Sequence, residues 1–237
     1  MNILILGSSG FIGKNLVTNL SCDNDVYIAK IDEDDLLLIE KIQKADVIIN
    51  AAGVSRSEFE DDFFRYNIYH SQRLFSIINK FENKMYIYFS SIHFGVDSLY
   101  GFSKRYNEFL LRESDSKHKN QFLCLRIPSI FGPGVKPDYV SVVATFCNNV
   151  ATKRKSEVID GNKILSLLYI DDLINFIKEK INNRSIGFEL VDFFPFTVEI
   201  TVNALFETIN AIGINKTDTI KENKFLNNLS KTYNFYK

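Results

Sequence analysis

Apolar residues along the first half of the chain follow two periods in turn. Asn2–Leu6 (N-I-L-I-L) is a short continuous apolar run, the pattern of a strand covered on both faces. Phe11–Leu20 then places Phe11, Ile12, Leu16, Val17 and Leu20 at helical spacing. The same exchange recurs downstream. Residues 26–29 read as a strand, 36–44 as a short helix and 46–51 (D-V-I-I-N-A) as a third strand. Residues 63–81 form a long amphipathic segment whose buried stripe is Leu74, Phe75, Ile77 and Ile78. Residues 85–89 and 122–127 are two further strands, flanking a helix centred on 107–112. Strands that alternate with helices pair in parallel through right-handed crossovers. The predicted fold class is therefore α/β, a doubly wound parallel sheet of Rossmann-like type, with a small C-terminal substrate lobe.

Beyond Pro128 the texture changes. Gly132, Pro133, Gly134 and Pro137 crowd into an irregular connection. Residues 140–150 are apolar and helical, and 164–170 strand-like. Asp171 or Asp172 can cap the next helix, which runs to about Asn182. Gly187–Val191 reads as another strand, and Thr197 as the cap of a helix through Ile212. The last stretch is polar with scattered aromatics, either a weakly ordered arm or a contact surface. The expected organisation is a Rossmann-like core over 1–135, with 160–192 returning to it. A small substrate lobe and tail then take 136–159 and 193–237.

With 237 residues, 46% of them hydrophobic, the chain can bury a substantial core. Twenty-eight basic residues against 29 acidic ones leave a net charge of −1, so no global field draws nucleic acid or an anionic membrane. Cys22, Cys124 and Cys147 are too few and too scattered for a disulfide framework or a thiolate metal site. They are expected to be buried thiols. The first apolar run is too short for a secretory or membrane segment, so a cytoplasmic location is expected.

The candidate chemistry begins where the first strand ends. Gly7-Ser8-Ser9-Gly10-Phe11-Ile12-Gly13 is a G-x-x-G-x-x-G loop opening a helix. Such a turn gathers backbone N–H groups and the positive end of a helix dipole at a point suited to a pyrophosphate. After the second strand comes Lys30-Ile31-Asp32. A base there accommodates the extra phosphate of NADP and an acid bonds the ribose of NAD. Lys30 lies nearer the strand end, which favours NADP(H) over NAD(H), although an ordinary solvated lysine reads equally well. Tyr100 and Lys104 are four residues apart on a helix, so they share a face. An ammonium near a phenol is expected to lower the tyrosine pKa and fit it for proton exchange with a carbonyl or alcohol oxygen. Ser90-Ser91, at a strand end, offers a hydroxyl to hold that oxygen.

Together, the glycine loop, Asn50-Ala51-Ala52-Gly53, Ser91, Tyr100-x-x-x-Lys104 and Arg126-Ile127-Pro128 resemble the extended short-chain dehydrogenase/reductase family over nearly the whole chain. That family includes nucleotide-sugar epimerases, dehydratases and 4-keto reductases. The resemblance implies that Gly7, Ser9, Gly10, Phe11, Ile12 and Gly13 line the cofactor pyrophosphate. It places Ala51, Ala52, Gly53 and Pro128 beside the rest of the cofactor, and matches Asn67 to an asparagine behind the active site. Tyr100 becomes the acid/base, Lys104 the holder of the nicotinamide ribose, and Ser91, in preference to Ser90, the group orienting substrate. Ser129 and Lys136 fall among the substrate contacts.

The second half, through Lys136-Pro137-Asp138-Tyr139, Ser141, Ala144-Thr145-Phe146-Cys147 and Tyr169-Ile170-Asp171-Asp172, is similar to bacterial capsule and O-antigen reductases. Those enzymes act on UDP-linked 4-keto-6-deoxy-N-acetyl sugars and carry a metal-binding cupin domain after the reductase domain. The aromatic tail here resembles the segment just before that domain, a separate cupin-type partner is an open expectation, and a homodimer is the expected assembly. Ser129 replaces an asparagine common in the family, and Leu165 and Ser166 occupy a region where epimerases carry an arginine. The reading is an NAD(P)H-dependent reductase of a nucleotide-linked 4-keto-6-deoxy sugar. Its rivals are a redox-neutral epimerase or dehydratase and a non-catalytic NAD(P)-binding protein. No metal is expected, since Asp171-Asp172 lacks companion ligands. His93 is a weaker substrate candidate, His70 and His118 are expected at the surface, and the 33–35 and 61–62 acids as solvated faces.

Overall fold

The computed structural model describes residues 1–114, 119–214 and 223–237, and His118 lies outside them. The chain divides into two compact units: Met1–Ile127 with Ile174–Phe193, and Pro128–Leu173 with Phe194–Lys237.

The first unit is a parallel sheet of six strands. The strands are β1 (Asn2–Leu6), β2 (Asp25–Ala29), β3 (Val47–Asn50), β4 (Met85–Ser91), β5 (Gln121–Ile127) and β8 (Gly187–Val191), in the order β2-β1-β3-β4-β5-β8. Helices α1 (Phe11–Leu20), α2 (Asp35–Lys44), α3 (His70–Ile78) and α4 (Leu99–Glu113) form the crossovers. Strand order reverses at β1 and β3, the point at which an open α/β sheet leaves a crevice at its carboxyl edge. Every residue of β3 and β4 is buried, which is why both read as unbroken apolar runs. Phe75, Tyr86 and Phe122 pack ring to ring beneath the sheet, with centroids 5.3–6.4 Å apart. The amphipathic 63–81 segment is two elements rather than one, a π-helical segment Phe63–Tyr69 leading into α3.

In the second unit, β6 (Ser129–Phe131), β7 (Ile164–Tyr169) and β9 (Val198–Thr201) make a separate sheet, β6 parallel and β9 antiparallel to β7. This unit also holds α5 (Val142–Ala151), α7 (Val202–Gly213) and α8 (Lys224–Tyr236), while α6 (Ile170–Asn182) starts in it and from Ile174 onward belongs to the first unit. Several expectations are corrected here. Residues 160–173 do not return to the first unit, because β7 finds its partners in β6 and β9. Thr197 caps no helix: Val198 and Ile200 alternate with polar residues as a strand, and Thr201 caps α7 by accepting from the Ala204 amide. Asp171 and Asp172 lie inside the first turn of α6, and Asp172 pairs with Lys224 of α8 at 2.6 Å. The tail is not a loose arm. Its aromatic residues form α8, with Phe225 against Phe131 and the Tyr236 hydroxyl donating to the Val135 carbonyl. Cys124 and Cys147 are buried, but Cys22 falls in the polar turn after α1 and is exposed.

Phe122 is fully buried between Phe75 and Tyr86, so Phe122→Ala opens a cavity that no neighbour can fill. It is expected to cost about 3–5 kcal/mol in a denaturant titration.

Candidate active site

The carboxyl edge of the sheet gathers the chemistry. The three loop glycines there have different jobs. Gly7 has φ +76°, and a Cβ on it would lie 2.5 Å from the Ala51 and Ala52 backbone. The turns after β1 and β3 therefore touch backbone to backbone at the switch point. A Cβ on Gly13 would lie 2.0 Å from the Gly7 carbonyl oxygen, so Gly7 and Gly13 are both required by packing. Gly10 is the exception, since a Cβ there would meet just one atom, the Gly7 oxygen at 3.4 Å. Gly10 is also the N-cap of α1, and no side chain caps that helix. An exposed Ser9-Gly10 pair over an uncapped helix start is a cradle that fits a pyrophosphate. The residues present thus fit a dinucleotide.

Leu6 lies opposite Ala29 in the β1–β2 register, so Gly7 and Lys30 leave the sheet side by side. Lys30 and Asp32 are both exposed and, among the described residues, neither forms an ion pair. The neighbouring acids are not a free solvated face: Glu33 pairs with Lys41, Asp34 caps α2, and Asp35 pairs with Arg73. Arg73 also donates to the carbonyls of Ile31 and Glu33, so α3 holds the loop that follows β2. Asn50 fixes the neighbouring turn, donating to the Tyr86 hydroxyl at 2.9 Å and accepting from the Ala52 amide at 3.2 Å.

Asn67 is fully committed. Its Oδ1 accepts from the Val54 amide at 2.8 Å, and its Nδ2 donates to the Val54 carbonyl and to Ser103 Oγ. A Cβ on Gly53 would lie 2.8 Å from that Oδ1. The asparagine therefore ties the Ala52–Val54 turn to α4. Its carboxamide faces protein groups rather than an open site.

On α4, Tyr100 is half-buried and Lys104 is 8% exposed. The Lys104 ammonium donates to the Phe89 carbonyl at 2.8 Å and lies 5.0 and 5.4 Å from the Tyr88 and Tyr100 ring centroids. Burial lowers the Lys104 pKa to about 8. The Ser91 side chain acts on the Tyr100 hydroxyl to lower its pKa, and Ser91 Oγ accepts from the His93 amide at 3.1 Å. One expectation is overturned: Lys104 does not draw the phenol below its ordinary value. Burial pushes Tyr100 up, and Ser91 opposes that shift without cancelling it. Ser90 is turned away, with Oγ donating to Glu108 Oε1 at 2.5 Å. His93 is exposed and touches this set through its backbone.

Pro128, Ser129 and Lys136 belong to the second unit. Pro128 directly follows β5, Ser129 opens β6, and the Lys136 ammonium lies 5.5 Å from the Tyr139 ring centroid. Among the described residues no cluster of His, Cys, Asp or Glu can hold a metal ion, and no helix is long and apolar enough to cross a membrane.

His70, expected at the surface, is 4% exposed at the start of α3. Burial and the nearby Arg73 charge lower its pKa to about 4. A histidine held neutral when folded binds its proton more readily when unfolded. Stability is then retained above about pH 6.5 and lost as pH falls toward 4. The loss should be on the order of 3 kcal/mol, and His70→Leu should flatten that part of a pH series of denaturant titrations.

Residues 3–187 match the NAD dependent epimerase/dehydratase family. Among curated proteins, the chain is 29% identical over 180 residues to the UDP-2-acetamido-2,6-beta-L-arabino-hexul-4-ose reductase of Pseudomonas aeruginosa, an alignment covering 73% of this chain and 48% of that protein. The chain thus spans about half the length of the curated relative it matches. Among solved structures, the capsular polysaccharide assembling protein CapF from Staphylococcus aureus is 31% identical, with a TM-score of 0.84 over 100% of this chain and 66% of that one. A UDP-glucuronic acid 4-epimerase from Bacillus cereus, in complex with NAD, shares the fold at 17% identity and a TM-score of 0.84, over 100% of both chains. With the glycine cradle at the switch point and Ser91, Tyr100 and Lys104 at the same sheet edge, the chain belongs to the NAD dependent epimerase/dehydratase family.

Proposed function

We propose that the chain is an NAD(P)H-dependent reductase of a nucleotide-linked 4-keto-6-deoxy sugar, serving surface-polysaccharide synthesis. The observation that carries this reading is the half-buried Tyr100 ring 5.4 Å from the buried Lys104 ammonium on the same helix, with Ser91 acting on its hydroxyl. The similarity to a UDP-sugar 4-keto reductase and to a capsule assembly protein supports the substrate class.

In this mechanism Gly7, Ser9, Gly10, Phe11, Ile12 and Gly13 hold the pyrophosphate, with Ala51, Ala52 and Gly53 beside the adenosine half. Asn67 acts through the turn it fixes. A nicotinamide cofactor held by these residues would supply the hydride that a keto-sugar reduction needs. Ser91 orients the carbonyl oxygen and Tyr100 gives it a proton. A phenol held above its ordinary pKa keeps that proton at neutral pH, which suits a general acid. Lys104 holds the nicotinamide ribose while charged, so cofactor affinity falls as pH rises through about 8. The Ser90-Ser91-Ile92 stretch places no carboxylate beside Tyr100, which disfavours dehydration. Pro128, and Ser129 and Lys136 for the nucleotide sugar, are further candidates on the family resemblance alone. Lys30 at the end of β2 favours NADP(H). A homodimer, a separate cupin-type partner and a cytoplasmic setting complete the proposal.

The test is a panel of UDP- and dTDP-linked 4-keto sugars, followed by NADPH absorbance. Tyr100→Phe keeps the ring and removes the proton donor. Turnover should fall by about 10²–10⁴-fold with NADPH affinity nearly unchanged, and near-normal reduction would overturn the mechanism.

Lys30→Ala tests cofactor choice in direct binding titrations. NADPH should weaken by about 1–3 kcal/mol more than NADH, and equal losses would remove Lys30 from the discrimination.

A further inference from the structure

We infer that Glu108 is a positioning residue for the catalytic set, its carboxylate fixed by Arg126, clamping the end of β4 to α4 and facing Lys104 from one helical turn away. The inference rests on the reading of Ser91, Tyr100 and Lys104 as that set.

Glu108 receives an unusually complete set of donors for a helix carboxylate. Arg126 of β5 binds it with Nε at 3.0 and 3.2 Å and with Nη2 at 2.6 Å, while Ser90 donates from β4. The two charged side chains are 17% and 8% exposed, so water screens them little. The bond to Ser90 fixes one of two adjacent strand-end serines. Holding Ser90 against Glu108 fixes the strand end that carries Ser91. The Arg126 guanidinium lies 3.5 Å over the Phe94 ring, in the Ile92–Gly95 3-10 turn that Ser91 caps. One ion pair thus holds the strand end and the turn beyond it.

Glu108 also supplies charge. Residues four apart on α4, Lys104 and Glu108 share a face, and the carboxylate opposes the burial that lowers Lys104. The other titratable groups around the ammonium are neutral at working pH. Tyr88 from β4 and Tyr100 from α4 are phenols pushed up by burial, and burial likewise holds the Cys124 thiol of β5 protonated. The π-helical segment contributes Asn67, which is uncharged and bound to Ser103. Arg126 faces Glu108 from β5 and anchors the anion that Lys104 sees.

The experiment reads Lys104 directly, by NMR titration of the full chain labelled with ¹³C-lysine, the signal assigned with Lys104→Arg. In Glu108→Gln the Lys104 ionisation is expected below wild type, while Glu108→Asp, which keeps the charge, returns it toward wild type. The high-pH limb of NADPH affinity should move down with it. A purely structural role would lower thermal stability and leave this ionisation in place. Should Glu108→Gln fail to fold, Glu108→Gln/Arg126→Met removes both buried charges together, and its Lys104 shift is expected in the same direction but smaller, because the repelling guanidinium is lost as well. A folded variant whose Lys104 titrates as in wild type overturns the inference. The titration needs neither substrate nor turnover, so its outcome stands apart from whether the protein reduces a 4-keto sugar.

Discussion

Keeping an ammonium inside a protein is the constraint around which the first unit is arranged. Moving a charge of that size out of water costs several kcal/mol, and the cost is met only by groups placed in advance. Lys104 has three kinds of compensation: the Phe89 carbonyl, two aromatic faces and a carboxylate on its own helix. Each demands further order. The carbonyl must sit at the end of a fully buried strand. The Tyr88 face must be held, which Asn107 does by donating to the Tyr88 hydroxyl at 3.0 Å. Asn107 also donates to the Asn67 backbone carbonyl at 2.8 Å. The lysine is thereby connected to the turn that follows β3.

Two kinds of support meet at this sheet edge, and they answer to different physics. The contact between the β1 and β3 turns is steric, because Gly7 and Gly13 leave no volume for a side chain. The lattice of Asn50, Asn67 and Asn107 is polar, and each amide satisfies buried backbone or phenol groups that would otherwise be left without partners. Apolar packing beneath the sheet fixes neither. It supplies the stability against which both are built, through Phe75, Tyr86 and Phe122.

The parallel sheet was legible because its central strands β1, β3 and β4 are covered on both faces and read as unbroken apolar runs. The glycine loop and the Tyr100–Lys104 pair were legible because their spacing is local. What stayed hidden depends on partners far along the chain. His70 looks polar in a polar stretch, yet it is buried where α3 meets the loop after β2, a contact that no neighbouring residue announces. Glu108 stands four residues beyond Lys104, a signal that was present, but its partner Arg126 lies on another strand. The short strands β6 and β9 escaped for a similar reason. Three or four residues carry too little periodicity, and β7 is what makes them strands. The direction of the Tyr100 shift was misjudged because spacing reveals a neighbouring charge and says nothing of the depth at which the phenol sits.

The discontinuity of the first unit has a consequence for synthesis on the ribosome. Its edge strand β8 comes after the chain has left to build part of the second unit and returned. Until Gly187–Val191 emerges, β5 stands as an open hydrogen-bonding edge on an otherwise assembled sheet. Translation is slow compared with local collapse, so a nascent chain spends seconds in that state. A stalled or truncated product ending before β8 would present a sticky parallel edge to other nascent chains. Quality control of this protein is then a matter of guarding β5 until its last neighbour arrives.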